Sequence, residues 1–161
     1  MILPDVNVLI YAFRADSADH ERYRTWLEEI VNEPAAYGIS PQVLASLARI
    51  CTHPRIYVRP STADEVFTFC DVLLSQPHVT IVSPGARHWP LFQGLCRESK
   101  ATGNLVQDAW NAAMAIEAGC EWITTDRDYA RFKGLNWRSP FVERSPIRRS
   151  RRLETVPFRY D

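Results

Sequence analysis

A chain of 161 residues, 46% hydrophobic and with five Trp and seven Phe, is long enough to bury one substantial core and too apolar to stay disordered. Its 19 basic and 19 acidic side chains give a formal net charge of zero, which excludes a strongly basic protein that coats nucleic acid non-specifically. The charge is unevenly spread, because residues 141–161 hold six Arg against three acids while residues 1–140 are mildly acidic.

In chain order, residues 2–5 read as a short buried strand, followed by helical turns over 7–13. Within 18–32 the apolar residues Tyr23, Trp26, Leu27, Ile30 and Val31 fall at helical spacing. Ser40 and Pro41 form an N-cap and first-turn pair that opens a helix through Gln42–Cys51, ended by "THPR" at 52–55. A helix over 62–74, a strand over 79–82 and a helix over about 86–100 follow. The loop "ATGN" (101–104) leads into a helix from Leu105 to Ala118 and the strand "EWITT" (121–125). Strands alternating with helices indicate an α/β fold with a mainly parallel sheet.

Trp26, Trp89, Trp110, Trp122 and Trp137 are expected in the core. The basic segment 141–161 lacks periodicity and is expected to be a poorly ordered tail after a domain of residues 1–140. The four cysteines form no C-x-x-C pair and the four histidines show no zinc spacing, so a structural zinc site is not expected. No secretory signal and no apolar run near 18 residues is present; a reduced, cytoplasmic protein without membrane contact is the expectation.

Asp5 lies between apolar residues on both sides, in "MILPDVNVLIYAF". A dry, unpaired carboxylate is costly to bury, so it must shift its pKa, find hydrogen bonds or hold a cation. Asp126 closes the strand "WITT". Asp108 starts the otherwise apolar ridge Asp108, Ala112, Ile116 on the preceding helix. Ligands of open α/β sheets collect at the carboxyl ends of the strands, where all three acids are expected to meet. Each acid also has a plainer explanation: a helix cap for Asp108, an Asx-turn for Asp126 or Asp128. Gathered carboxylates suit Mg²⁺ or Mn²⁺, and metal-assisted phosphodiester hydrolysis is the chemistry that follows.

The stretches "LPDVNVLIYAF", "RICTHPRIY" and "TGNLVQDAWNAAMAIEAGCEWITTDRDYARFKGLNW" resemble the PIN-domain family, and more narrowly the VapC toxin ribonucleases of bacterial toxin–antitoxin pairs. The resemblance runs from residue 1 to about 140. It implies a three-layer α/β sandwich with a parallel central sheet and a magnesium-dependent endoribonuclease leaving 5′-phosphate and 3′-hydroxyl ends. It implies a cognate antitoxin across the active-site groove and a homodimer. In the family pattern Asp5, Asp108 and Asp126 correspond to metal-binding acids, with Asp128 near the metal, and Asn7 and Thr125 to groups that orient them. One departure stands out. The family's helix before "R-x-x-T-H-P" carries a Glu three residues ahead of that Arg; here the Arg is Arg49 and the residue is Ser46. Arg14, Arg49, Arg55, Arg127 and Arg131 are candidate RNA-backbone contacts. Two other readings remain: a PIN module that binds RNA or antitoxin without efficient cutting, and a phosphotransferase with Asp5 as nucleophile. "DVN" lacks the second Asp that D-x-D aspartyl-phosphate enzymes carry.

Overall fold

The computed structural model describes residues 1–141. Five short parallel strands form one sheet: β1 (Ile2–Pro4), β2 (Tyr37–Ile39), β3 (Val79–Ile81), β4 (Glu121–Ile123) and β5 (Trp137–Arg138), in the order β3-β2-β1-β4-β5. Six helices connect them: α1 (Val6–Phe13), α2 (His20–Asn32), α3 (Pro41–Cys51), α4 (Ala63–Leu74), α5 (His88–Ser99) and α6 (Asn104–Glu117). A 3-10 helix (Arg127–Arg131) joins β4 to β5. The chain crosses from β1 to β2 to β3 in one direction, then returns over the sheet to β4. Right-handed crossovers therefore place α1–α4 on one face and α5 and α6 on the other, and the helices contact one another in those two groups. The α/β sandwich expected from the sequence is the fold observed.

The elements follow from local chemistry. The inward face of α2 is Tyr23, Trp26, Leu27, Ile30 and Val31, all buried. Thr62 and Glu65 close a reciprocal capping box at the start of α4. Gly103, at φ +55°, supplies the left-handed turn into α6. Ser40 occupies the cap position of α3, but its buried hydroxyl donates to Met114 Sδ (3.4 Å) instead of accepting from the helix, so the expected cap is absent. Trp122 is fully buried, whereas Trp89 is 57% exposed and does not belong to the core.

β2 and β5 were not anticipated, being three and two residues long. In β2, Gly38 is demanded by packing: a Cβ there would lie 3.0 Å from Val82 Cγ2 and 3.2 Å from the Ile2 carbonyl. No helix among the described residues is long and apolar enough to cross a membrane. The tail expectation for 141–161 lies, apart from Phe141, outside the described residues.

Candidate active site

β1 and β4 are neighbours whose following connections leave toward opposite faces of the sheet, which makes the gap at their carboxyl ends the topological switch point. The two strands register Pro4 against Ile123, and the Asp5 amide donates to the Ile123 carbonyl (2.9 Å). Asp5 and Thr124 thus emerge side by side. Pro4 cannot donate to a sheet ladder, and β1 registers with β2 only at Ile2–Tyr37, so β1 is bound at this end to β4 alone.

Asp5 is 3% exposed and carries a full set of donors. Its Oδ1 accepts from the Val6 amide (2.7 Å) at the start of α1. Its Oδ2 accepts from the Thr124 hydroxyl (2.7 Å) and from Asn7 Nδ2 (3.2 Å). The Thr124 oxygen in turn accepts from Asn7 Nδ2 (3.0 Å) and from the Asp126 amide (3.1 Å), tying the two acids together. Asp126 caps the 3-10 helix, its Oδ1 accepting from the Asp128 amide (2.8 Å). Asp108 projects from the second turn of α6, one residue beyond the first-turn position the sequence suggested.

The electrostatics show how close these groups are. Asp5 is raised from 3.8 to about 6, chiefly by burial, with Asp108 and Asp126 adding repulsion against the lowering by Thr124 and Val6. Asp108 also rises to about 6, first through burial and then through Asp126, with Asp128 contributing. Four carboxylates from three segments therefore share one field. No ion pair among the described residues involves any of them. The donor set is all oxygen and suits a hard divalent cation. Among the described residues no three acidic, His or Cys side chains stand close enough to enclose a metal by themselves. That fits Mg²⁺, which is commonly held by one or two carboxylates and completes its shell with water and phosphate oxygens.

Other candidates fall elsewhere. The orienting hydroxyl expected at Thr125 belongs to Thr124; Thr125 contributes only its backbone amide, 3.5 Å from Asn7 Oδ1. Strand parity decides this, since the residue following Ile123 is the one set beside Asp5. Arg14 is not available to RNA. It is 7% exposed, forks onto Asp16 (2.6 and 2.8 Å), donates to Ser61 and the Arg59 carbonyl, and lies over the Tyr57 ring. Arg49, Arg55, Arg127 and Arg131 are exposed. Ser46 is half-buried on α3 and makes no hydrogen bond to Asp5, Asp108 or Asp126. Glu117, excluded from the site on sequence grounds, accepts from the Gly85 and Arg87 amides (2.7 Å each). Sequence reasoning passed over Thr124, Tyr129 and Asn111; Tyr129 acts on Asp108 as a donor, and Asn111 bonds to Tyr129.

The PIN domain matches residues 2–135. The chain belongs to the PIN-domain family. Within that family it is 39% identical over 140 residues to ribonuclease VapC43 of Mycobacterium tuberculosis, covering 87% of this chain and 95% of that protein. Ribonuclease VapC25 of the same organism is 38% identical over 135 residues, 84% of this chain and 95% of the relative. Among solved structures, VapBC2 from Rickettsia felis bound to a promoter DNA fragment superposes with a TM-score of 0.64 at 21% identity, covering 86% of this chain and 98% of that one. VapC20 of M. tuberculosis, described as a Sarcin-Ricin loop cleaving toxin, gives 0.60 at 16% identity over 84% and 99%. These two likenesses concern the PIN fold; the VapC relatives carry the closer kinship.

Proposed function

We propose that this PIN-domain protein is an endoribonuclease toxin that hydrolyses RNA phosphodiesters with a divalent cation, Mg²⁺ or Mn²⁺, held at Asp5, Asp108 and Asp126, with Asp128 at its edge. The observation that carries the reading is the pair of carboxylates, Asp5 and Asp108, both raised to about 6 at the switch point of the sheet by burial and like charge. Perturbed acids gathered in one place are the mark of a functional site. Ribonuclease relatives at 37–39% identity support the reaction class.

A bound divalent cation would lower the pKa of water and offset charge on the phosphoryl oxygens. The chain supplies the geometry. Thr124 and Asn7 fix the Asp5 carboxylate, and the Asp128 amide fixes that of Asp126. Asp108 approaches from α6, on the other face of the sheet. Exposed Arg49, Arg127 and Arg131 are placed to hold phosphates of the RNA backbone on either side of the cut. The partner is a cognate antitoxin, as in the VapBC assemblies that share the fold, and the toxin itself is a cytoplasmic homodimer.

Cleavage of a mixed tRNA and rRNA pool tests this. Discrete fragments should form with Mg²⁺ or Mn²⁺ and disappear with EDTA and in the Asp5→Ala, Asp108→Ala and Asp126→Ala variants. Fragments that persist in all three folded variants would sink the assignment. A second reading is motivated by Ser46, which brings no charge where the family carries Glu: a module that binds RNA or antitoxin but cuts poorly. A large gain of cleavage in Ser46→Glu would favour it; unchanged cleavage would show that three acids suffice.

A further inference from the structure

Beneath the acids lies a second layer of polar groups to which the reaction above gives no role. Tyr129, on the 3-10 helix, is 1% exposed, with its ring packed against Trp122 (centroids 5.5 Å apart) and Phe132 (5.8 Å). Its hydroxyl reaches into the field of the cluster: after burial, Asp5, Asp108 and Asp126 all push its pKa up, so it stays a neutral donor. A phenol has one proton to give. Asn111 Nδ2 donates to the phenolic oxygen at 3.3 Å, so that oxygen already serves as an acceptor and its proton is free for another partner. That partner is Asp108, whose carboxylate the hydroxyl stabilises. The contact is longer than a standard hydrogen bond, as such contacts often are outside a substrate complex.

Asn111 sits on α6 one turn beyond Asp108, 8% exposed, among buried Ala109, Ala112, Ala113 and Ala115. Its Oδ1 is buried without a hydrogen-bond partner among the described residues. A carbonyl left dry costs folding free energy, and an alanine would continue the stripe without that cost. An amide that is poor for stability but sets the direction of a hydrogen-bond chain has its justification in function.

We propose that Asn111 and Tyr129 are positioning residues, a directed chain Asn111→Tyr129→Asp108 that aims the Asp108 carboxylate at its cation. The inference rests on the metal-nuclease reading above.

The test is Mn²⁺ binding to the full-length, RNA-free protein, followed by electron paramagnetic resonance, together with thermal unfolding in EDTA. Wild type, Tyr129→Phe, Asn111→Ala, the double variant and Asp108→Asn are compared. Tyr129→Phe keeps the ring, and Asn111→Ala suits a helix, so each can carry the test if the other misfolds. Outer-shell partners of metal ligands typically command 10–100-fold in affinity. Each single variant should therefore weaken Mn²⁺ binding by about tenfold, and the double no more than Tyr129→Phe alone, since Asn111 acts through the phenol. Asn111→Ala should unfold in EDTA at the same or a higher temperature, the opposite of what a structural amide would do. Mn²⁺ affinity within about twofold of wild type in both single variants would overturn the proposal while leaving the metal reading intact, provided Asp108→Asn still loses the ion. A wild type that binds no Mn²⁺ would overturn both.

Discussion

Replacing Asp5 by Asn should stabilise the protein at neutral pH in the absence of metal. Asp5 has a folded pKa of about 6 against 3.8 for the free side chain, and only 3% exposure, so solvent screening discounts little. Two units correspond to roughly 3 kcal/mol by which the fold prefers the neutral form. The sign follows from linkage. With the folded pKa raised, the native state binds more protons than the unfolded chain between about pH 4 and pH 6. Stability from this group therefore falls as pH rises through that window, by about 2 kcal/mol between pH 4.5 and 7.5. Asn removes the charge but sets an NH₂ against the hydroxyl of Thr124 and the amide of Asn7, losing about 1 kcal/mol. The two proteins should be nearly equal in stability at pH 4.5, with Asp5→Asn about 2 kcal/mol more stable at pH 7.5. Urea unfolding in EDTA at the two pH values measures this, and added Mg²⁺ should erode the variant's advantage. A pH-independent difference, or a less stable variant at pH 7.5, would refute the reasoning by showing that three hydrogen bonds already compensate the charge.

Thr124→Val should reduce cleavage by about tenfold or more, because it unties Asp5 from Asp126. Thr125→Val keeps the backbone amide that meets Asn7, so cleavage rates of the two variants side by side distinguish them. Arg14→Ala should cost about 1.5–3 kcal/mol, the usual worth of hydrogen bonds to a charged group, and free the segment around Tyr57–Ser61. Urea unfolding and hydrogen exchange over residues 52–62 would show it; a loss of RNA affinity with stability unchanged would restore Arg14 as a backbone contact.

The parallel fold and the meeting of Asp5, Asp108 and Asp126 were legible because each rests on a long or unusual signal: helical periodicity over a dozen residues, or a carboxylate inside an apolar run. What was missed rests on short range or on parity. β2 and β5 span too few residues for a period-two pattern. Thr124 and Thr125 are identical in the sequence, and a single step along a strand reverses which side chain faces the site, so only the Pro4–Ile123 register separates them. Arg14 looked like a free cation because nothing in its immediate pattern announces the Asp16 fork or the Tyr57 ring, which returns from 43 residues away. Asn111 had a faint signal, an amide three residues after Asp108 in a helix whose inward face is otherwise alanine and methionine.

The plain and the functional readings of Asp5 and Asp126 turn out not to compete. Each caps the element that follows it, giving one oxygen to a backbone amide. That bond does more than start a helix. Two like-charged side chains free to rotate would swing apart and relieve their repulsion; a carboxylate pinned to the backbone cannot. The cluster therefore keeps the repulsion that raises Asp5 and Asp108, and an arriving cation recovers it as binding free energy. A protein selected for stability alone would cap these elements with Ser or Asn, satisfying the same amides without the charge. Carboxylates at both caps mark the switch point as a place where stability is given up for the sake of a charged ligand.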